Sequence, residues 1–123
     1  MAVHDQNPAH GDALDVTRGR ALGLAGHAAF ETYSVLTRLP GSARVSPGAA
    51  AAIIARAFPA TVPLPVPAAR SAVALFADAG IAGGSVYDGL VGLAAREAGL
   101  PLLTCDRRAL GTYAALGVQI RLI

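Results

Sequence analysis

The spacing of hydrophobic positions changes period several times along the chain. Residues 21–25, Ala-Leu-Gly-Leu-Ala, form an apolar run of strand length and predict a buried strand. From His27 the period becomes helical, with Phe30, Val35, Leu36 and Leu39 as the apolar positions, and Pro40-Gly41 ends the segment. Ser46-Pro47 pairs an N-cap residue with a proline at the first helical position, where a missing N–H costs nothing; this predicts a helix to about Ala57, closed by Phe58-Pro59. Asn7-Pro8 carries the same signal and predicts a short helix over 8–17.

Pro63, Pro65 and Pro67 alternate with Val62, Leu64 and Val66. Each proline removes a ladder hydrogen bond, so this stretch is an extended connection or an edge and not a central strand. Residues 68–79 read as a helix with Gly80 as its left-handed cap, and Gly83-Gly84-Ser85 as a turn. The next helix spans 86–98, its apolar face made by Leu90, Leu93 and Ala94. A short buried strand over 100–104, a helix over 107–116 and a half-exposed alternating strand over 118–123 complete the pattern. Strand alternating with helix argues for an α/β fold with a parallel sheet covered by helices.

Length and composition narrow the function. The 123 residues suffice for one domain, here 1–123, and 54% hydrophobic against 15% charged residues is the balance of a folding chain. No apolar stretch approaches the roughly 20 residues of a membrane span, and the first residues lack a secretory pattern, so the expected location is cytoplasmic. A single cysteine, Cys105, excludes disulfide frameworks and multi-cysteine metal sites. All ten basic residues are arginine, which excludes lysine Schiff-base chemistry. The net charge of +2 gives no general nucleic-acid footprint, yet arginine forks suit a local phosphate site.

Acids are scarce, and three of them stand at element ends: Glu31 in the first turn after His27, Asp88 at the start of an apolar helix, and Asp106 directly after a buried strand. A carboxylate at a helix N-terminus has a plain explanation, since it caps N–H groups and meets the positive end of the dipole. Together, however, three acids at the carboxyl edge of a parallel sheet suggest an oxygen-ligand site for a hard divalent cation. Arg107 and Arg108, beside Asp106, read equally as phosphate contacts or as helix surface. His4, His10 and His27 read as surface or capping groups, Cys105 as a small hydrophobe, and residues 80–84 as a turn lacking the ending of a phosphate loop.

The blocks Phe30-Glu31-Thr32-Tyr33-Ser34-Val35-Leu36-Thr37-Arg38-Leu39, Val86-Tyr87-Asp88-Gly89-Leu90-Val91 and Leu102-Leu103-Thr104-Cys105-Asp106-Arg107-Arg108 resemble, in order, the acidic blocks of PIN-domain proteins. They are most similar to the VapC toxins of bacterial type II toxin–antitoxin modules. The resemblance implies a PIN-like three-layer α/β domain with a short parallel sheet flanked by helices. It implies endoribonuclease activity with Mg²⁺ or Mn²⁺ held by Glu31, Asp88 and Asp106, with Thr104 as the supporting hydroxyl. It further implies restraint by a VapB-type antitoxin and a homodimer. The family's opening strand, which ends in a first acid, has no counterpart in residues 1–5. The chain as given is therefore expected to cut RNA poorly, or to serve as a shortened relative that binds antitoxin or RNA without cutting.

Overall fold

The computed structural model describes residues 20–123; the helix expected over 8–17, and with it His4 and His10, lies outside the described residues. The elements are α1 (His27–Thr37), a 3₁₀ turn at Gly41–Ala43, α2 (Pro47–Ala57), α3 (Val66–Ala79), α4 (Ser85–Glu97), β1 (Leu102–Thr104), a 3₁₀ turn at Arg107–Ala109, α5 (Leu110–Ala115) and β2 (Ile120–Leu122). Local chemistry accounts for their ends. The Ser46 hydroxyl accepts from the Ala49 N–H at 3.3 Å to cap α2. At the end of α3, Ile81 N–H donates to the Phe76 carbonyl at 2.9 Å and Gly80 N–H to that of Ala77 at 3.3 Å. This is a Schellman closure, and Ile81 and Phe76 are both buried, as its hydrophobic contact requires.

β1 and β2 run parallel, with Leu102 opposite Ile120, Leu103 opposite Arg121 and Thr104 opposite Leu122. α5 supplies the crossover that parallel neighbours require. The strand expected over 21–25 is shortened to a single parallel bridge between Ala25 and Val62. Ala60 N–H donates to the Leu22 carbonyl, Val62 N–H to that of Leu24, and Gly26 N–H to that of Val62, all within 2.8–3.0 Å. Pairing stops there because Gly26 turns into α1, which begins at His27. Between this pair and β1 lies a slot of about 320 Å³ with Leu22, Gly23, Ala25, Ala95 and Leu103 among its walls.

α4 is the centre of the molecule: Gly89 and 91–95 are all buried. Its small residues let neighbours approach. A Cβ on Gly89 would sit 3.1 Å from the Phe76 ring, and one on Gly92 would sit 2.9 Å from the Tyr113 ring and 3.1 Å from Val118. Gly92→Ala is therefore expected to cost about 1–3 kcal/mol by overpacking, read as a lowered denaturation midpoint with an unchanged slope.

α1 departs from the face its spacing predicts. Ala28 is its buried residue, whereas Phe30 is 71% exposed and Val35 also faces outward. The reason is the close approach of the start of α1 to α4, where a Cβ on Gly26 would lie 2.9 Å from that of Ala94. Only small side chains fit that contact, which turns the larger ones away.

Candidate active site

Asp88 stands in the first turn of α4, and Asp106 follows β1 at its carboxyl end. Burial and the charge of Asp106 raise the Asp88 carboxyl above the usual carboxylate range, while Arg108 acts in the opposite direction. The two acids therefore share one environment, and each ionised carboxylate disfavours the other. Asp106 is fixed locally. Its backbone N–H donates to Thr104 Oγ1 at 3.1 Å, and its Oδ1 accepts from the Arg108 N–H at 3.0 Å. Thr104 is the buried polar residue of the core, so its hydroxyl is a rigid anchor for the turn. Arg108 Nε lies 3.5 Å from Asp106 Oδ1 on an exposed side chain, a pairing worth little in stability. Arg107 is exposed as well.

Glu31 lies on α1, where Oε1 is 3.4 Å from Nε2 of His27 one turn earlier. Tyr113 of α5 lies within electrostatic range of all three acids. Its phenol is pushed up to about 12, by burial first and then by the charges of Asp88, Asp106 and Glu31. Tyr113 thus remains a neutral hydroxyl at neutral pH. The only signal in the sequence was a tyrosine within an otherwise small-residue helix, Leu110-Gly111-Thr112-Tyr113-Ala114-Ala115.

A pH dependence follows. The folded state holds the Tyr113 proton more tightly than the unfolded chain does, so this contribution to stability is complete below pH 10 and falls as pH rises toward about 12. The loss should approach about 3 kcal/mol once the phenol is ionised in both states, at about 1.36 kcal/mol per pH unit between 10 and about 12. Difference absorbance titration of the wild type against Tyr113→Phe, with denaturant midpoints at each pH, measures it; a loss of the same size in Tyr113→Phe would contradict it.

Among the described residues, no group of three or more His, Cys, Asp or Glu side chains is placed to hold a metal ion, so Glu31 does not join Asp88 and Asp106 in one ligand cluster. Asp88 and Asp106 nevertheless fit one. They are hard oxygen donors whose mutual repulsion a cation would relieve, and Mg²⁺ commonly takes one or two carboxylates while completing its shell with waters and substrate phosphate. Among the described residues no helix is long and apolar enough to cross a membrane.

Comparison with known proteins identifies relatives of the chain. The chain is 44% identical over 101 residues to ribonuclease VapC27 of Mycobacterium tuberculosis, covering 82% of this chain and 74% of that protein. It is 42% identical over 105 residues to ribonuclease VapC40 of the same organism, covering 85% of this chain and 78% of the relative. No family model matches the chain. No solved structure matches it.

Proposed function

The chain belongs to the VapC family of PIN-domain ribonucleases, and from that membership we propose that it is a toxin-type endoribonuclease, dependent on Mg²⁺ or Mn²⁺ and inhibited by a VapB-type antitoxin. What supports the reading is the 42–44% identity to VapC ribonucleases, together with the positions of Asp88 in the first turn of α4 and of Asp106 directly after β1. Asp88 and Asp106 would hold the divalent cation, and the chemistry it would supply is to acidify water and to neutralise charge developing on a phosphate.

The chain's own residues set the geometry. Thr104 holds the Asp106 turn through its hydroxyl, and the Arg108 guanidinium tempers the repulsion between the acids. Tyr113, its phenol pushed up to about 12, would keep a neutral O–H in the field of these acids at neutral pH. Arg107 and Arg108, both exposed, are the candidate forks for RNA phosphates.

The whole chain, 1–123, reads as one PIN-like domain of three layers. The β1–β2 pair and the Ala25–Val62 pair would then be parts of one sheet, and the slot between them the place of a further strand. Exposed Ile53, Val66 and Val73 favour a homodimer or an antitoxin seat over a solitary chain, and the cytoplasm is the proposed location.

The test is incubation of a mixed transfer, ribosomal and messenger RNA pool with the protein, with Mn²⁺, Mg²⁺ or a chelator. Internal cleavage that chelation abolishes is expected. RNA bound but left intact at every metal concentration would instead assign the chain to a non-cutting binding module.

A further inference from the structure

Two hydroxyl side chains are buried near the acids, and the protein engages only one of them. Thr104 Oγ1 accepts the Asp106 N–H at 3.1 Å. Tyr113, only 5% exposed, makes no side-chain hydrogen bond among the described residues. A buried hydroxyl without a partner is costly, and where a native fold keeps one it calls for an occupant such as an ordered water. Asp88 poses the complementary case. Its carboxylate is half-buried and accepts no hydrogen bond among the described residues, whereas Asp106 Oδ1 accepts from the Arg108 N–H. Packing brings the two unengaged groups to one face of α4. A Cβ on Gly92 would lie 2.9 Å from Cδ1 and 3.3 Å from Cε1 of the Tyr113 ring, and Gly92 stands one turn beyond Asp88.

We propose that Tyr113 is a positioning residue of the acidic site, its hydroxyl donating to a buried water that in turn donates to the Asp88 carboxylate. The proposal rests on the assignment of Asp88 to the active site and adds to it the residue that orients this carboxylate. An ionised carboxylate only accepts and a phenol can donate, so a water between them satisfies both. The phenol keeps its proton at neutral pH, and of the acids whose charge acts on it Asp88 is the foremost. Orientation matters because the terminal torsion of an aspartate is broad and a carboxylate without a partner turns freely. Asp106 has its own restraint in the Arg108 N–H; the water on Tyr113 supplies the equivalent for Asp88.

The test reads water, metal uptake and stability on the full chain. A crystal structure of the native protein that resolves water should place one within about 3 Å of both Tyr113 Oη and an Asp88 carboxylate oxygen, and Tyr113→Phe should lack it. Mn²⁺ uptake, followed by electron paramagnetic resonance of the free ion, should weaken about tenfold in Tyr113→Phe, the loss usual for partners that orient ligands. The ring and its packing are kept in that variant, so its denaturant midpoint at pH 7 should not fall. Val118→Ala is the control for packing. Val118 lies with the Tyr113 ring against Gly92, so its truncation should lower the midpoint while the hydroxyl, and with it Mn²⁺ uptake, is unchanged.

Unchanged Mn²⁺ uptake in Tyr113→Phe would overturn the proposal, as would a crystal in which Oη is dry or bonded directly to another protein group. An equal loss of uptake in Val118→Ala would do so too, and would make Tyr113 a packing residue. Full uptake by Asp88→Asn would instead defeat the assignment of Asp88 to the site, while the crystal would still decide whether Tyr113 and Asp88 share a water.

Discussion

Asp88→Asn should lower metal-dependent RNA cleavage by at least about a hundredfold while leaving the fold as stable at neutral pH, or more so. The two halves have a common cause. Burial and Asp106 hold the Asp88 carboxyl above its ordinary range, so the folded state binds that proton more tightly than the unfolded chain. Ionisation of Asp88 therefore lowers stability as pH rises through the interval between its unfolded and folded pKa values, and above that interval the full cost is present. Asparagine removes the charge and keeps the shape, which relieves that cost but removes a cation donor and its charge. Cleavage assays with Mn²⁺ and denaturant titrations at pH 7 read the two halves separately. A destabilised Asp88→Asn would contradict the electrostatic account, and undiminished cleavage would remove Asp88 from the site.

The largest effect on stability is expected at Gly23. A Cβ there would overlap the backbone carbonyl of Ala60 on the paired segment. The obstruction is main chain, so no rotamer change relieves it, and the two segments must separate. That separation would strain the hydrogen bonds from Ala60 to Leu22, from Val62 to Leu24 and from Gly26 to Val62, and would disturb buried Leu24. Gly23→Ala should cost about 3 kcal/mol or more, seen as a fall in melting temperature of roughly 10 °C. A shift within experimental error would mean that the pairing at Ala25 and Val62 contributes nothing to the fold.

Much of the architecture was legible because local chemistry dictated it. Ser46-Pro47 opens α2 and Gly80 closes α3 at the expected places, and the apolar run before Asp106 became β1. In these cases the signal is carried by one or two residues whose capping or dihedral preference suffices. The run at 21–25 predicts a longer strand than forms, since pairing needs a partner along its length and the chain turns at Gly26 into α1. Phe30 was assigned with the apolar positions of α1 but points outward, because tertiary contact at Gly26 and Ala28 outweighs the periodicity.

The acids were found from their scarcity and their places at element ends. Tyr113 was not, for its role depends on neighbours that only the fold brings to it: Asp88 from α4, Asp106 from the end of β1 and Glu31 from α1. Likewise His27 reads along the chain as an ordinary helix-start residue, and its ring contact with Tyr87 joins residues far apart in sequence.

Direct titration with Mn²⁺, followed by electron paramagnetic resonance of the free ion, tests the central claim that Asp88 and Asp106 together hold a divalent cation. The native chain should deplete the free-ion signal saturably, Asp88→Asn and Asp106→Asn should each weaken that uptake about tenfold or more, and the double variant should abolish it. Uptake of Mn²⁺ that is the same in the native chain and the double variant would contradict the assignment of these two carboxylates as the site.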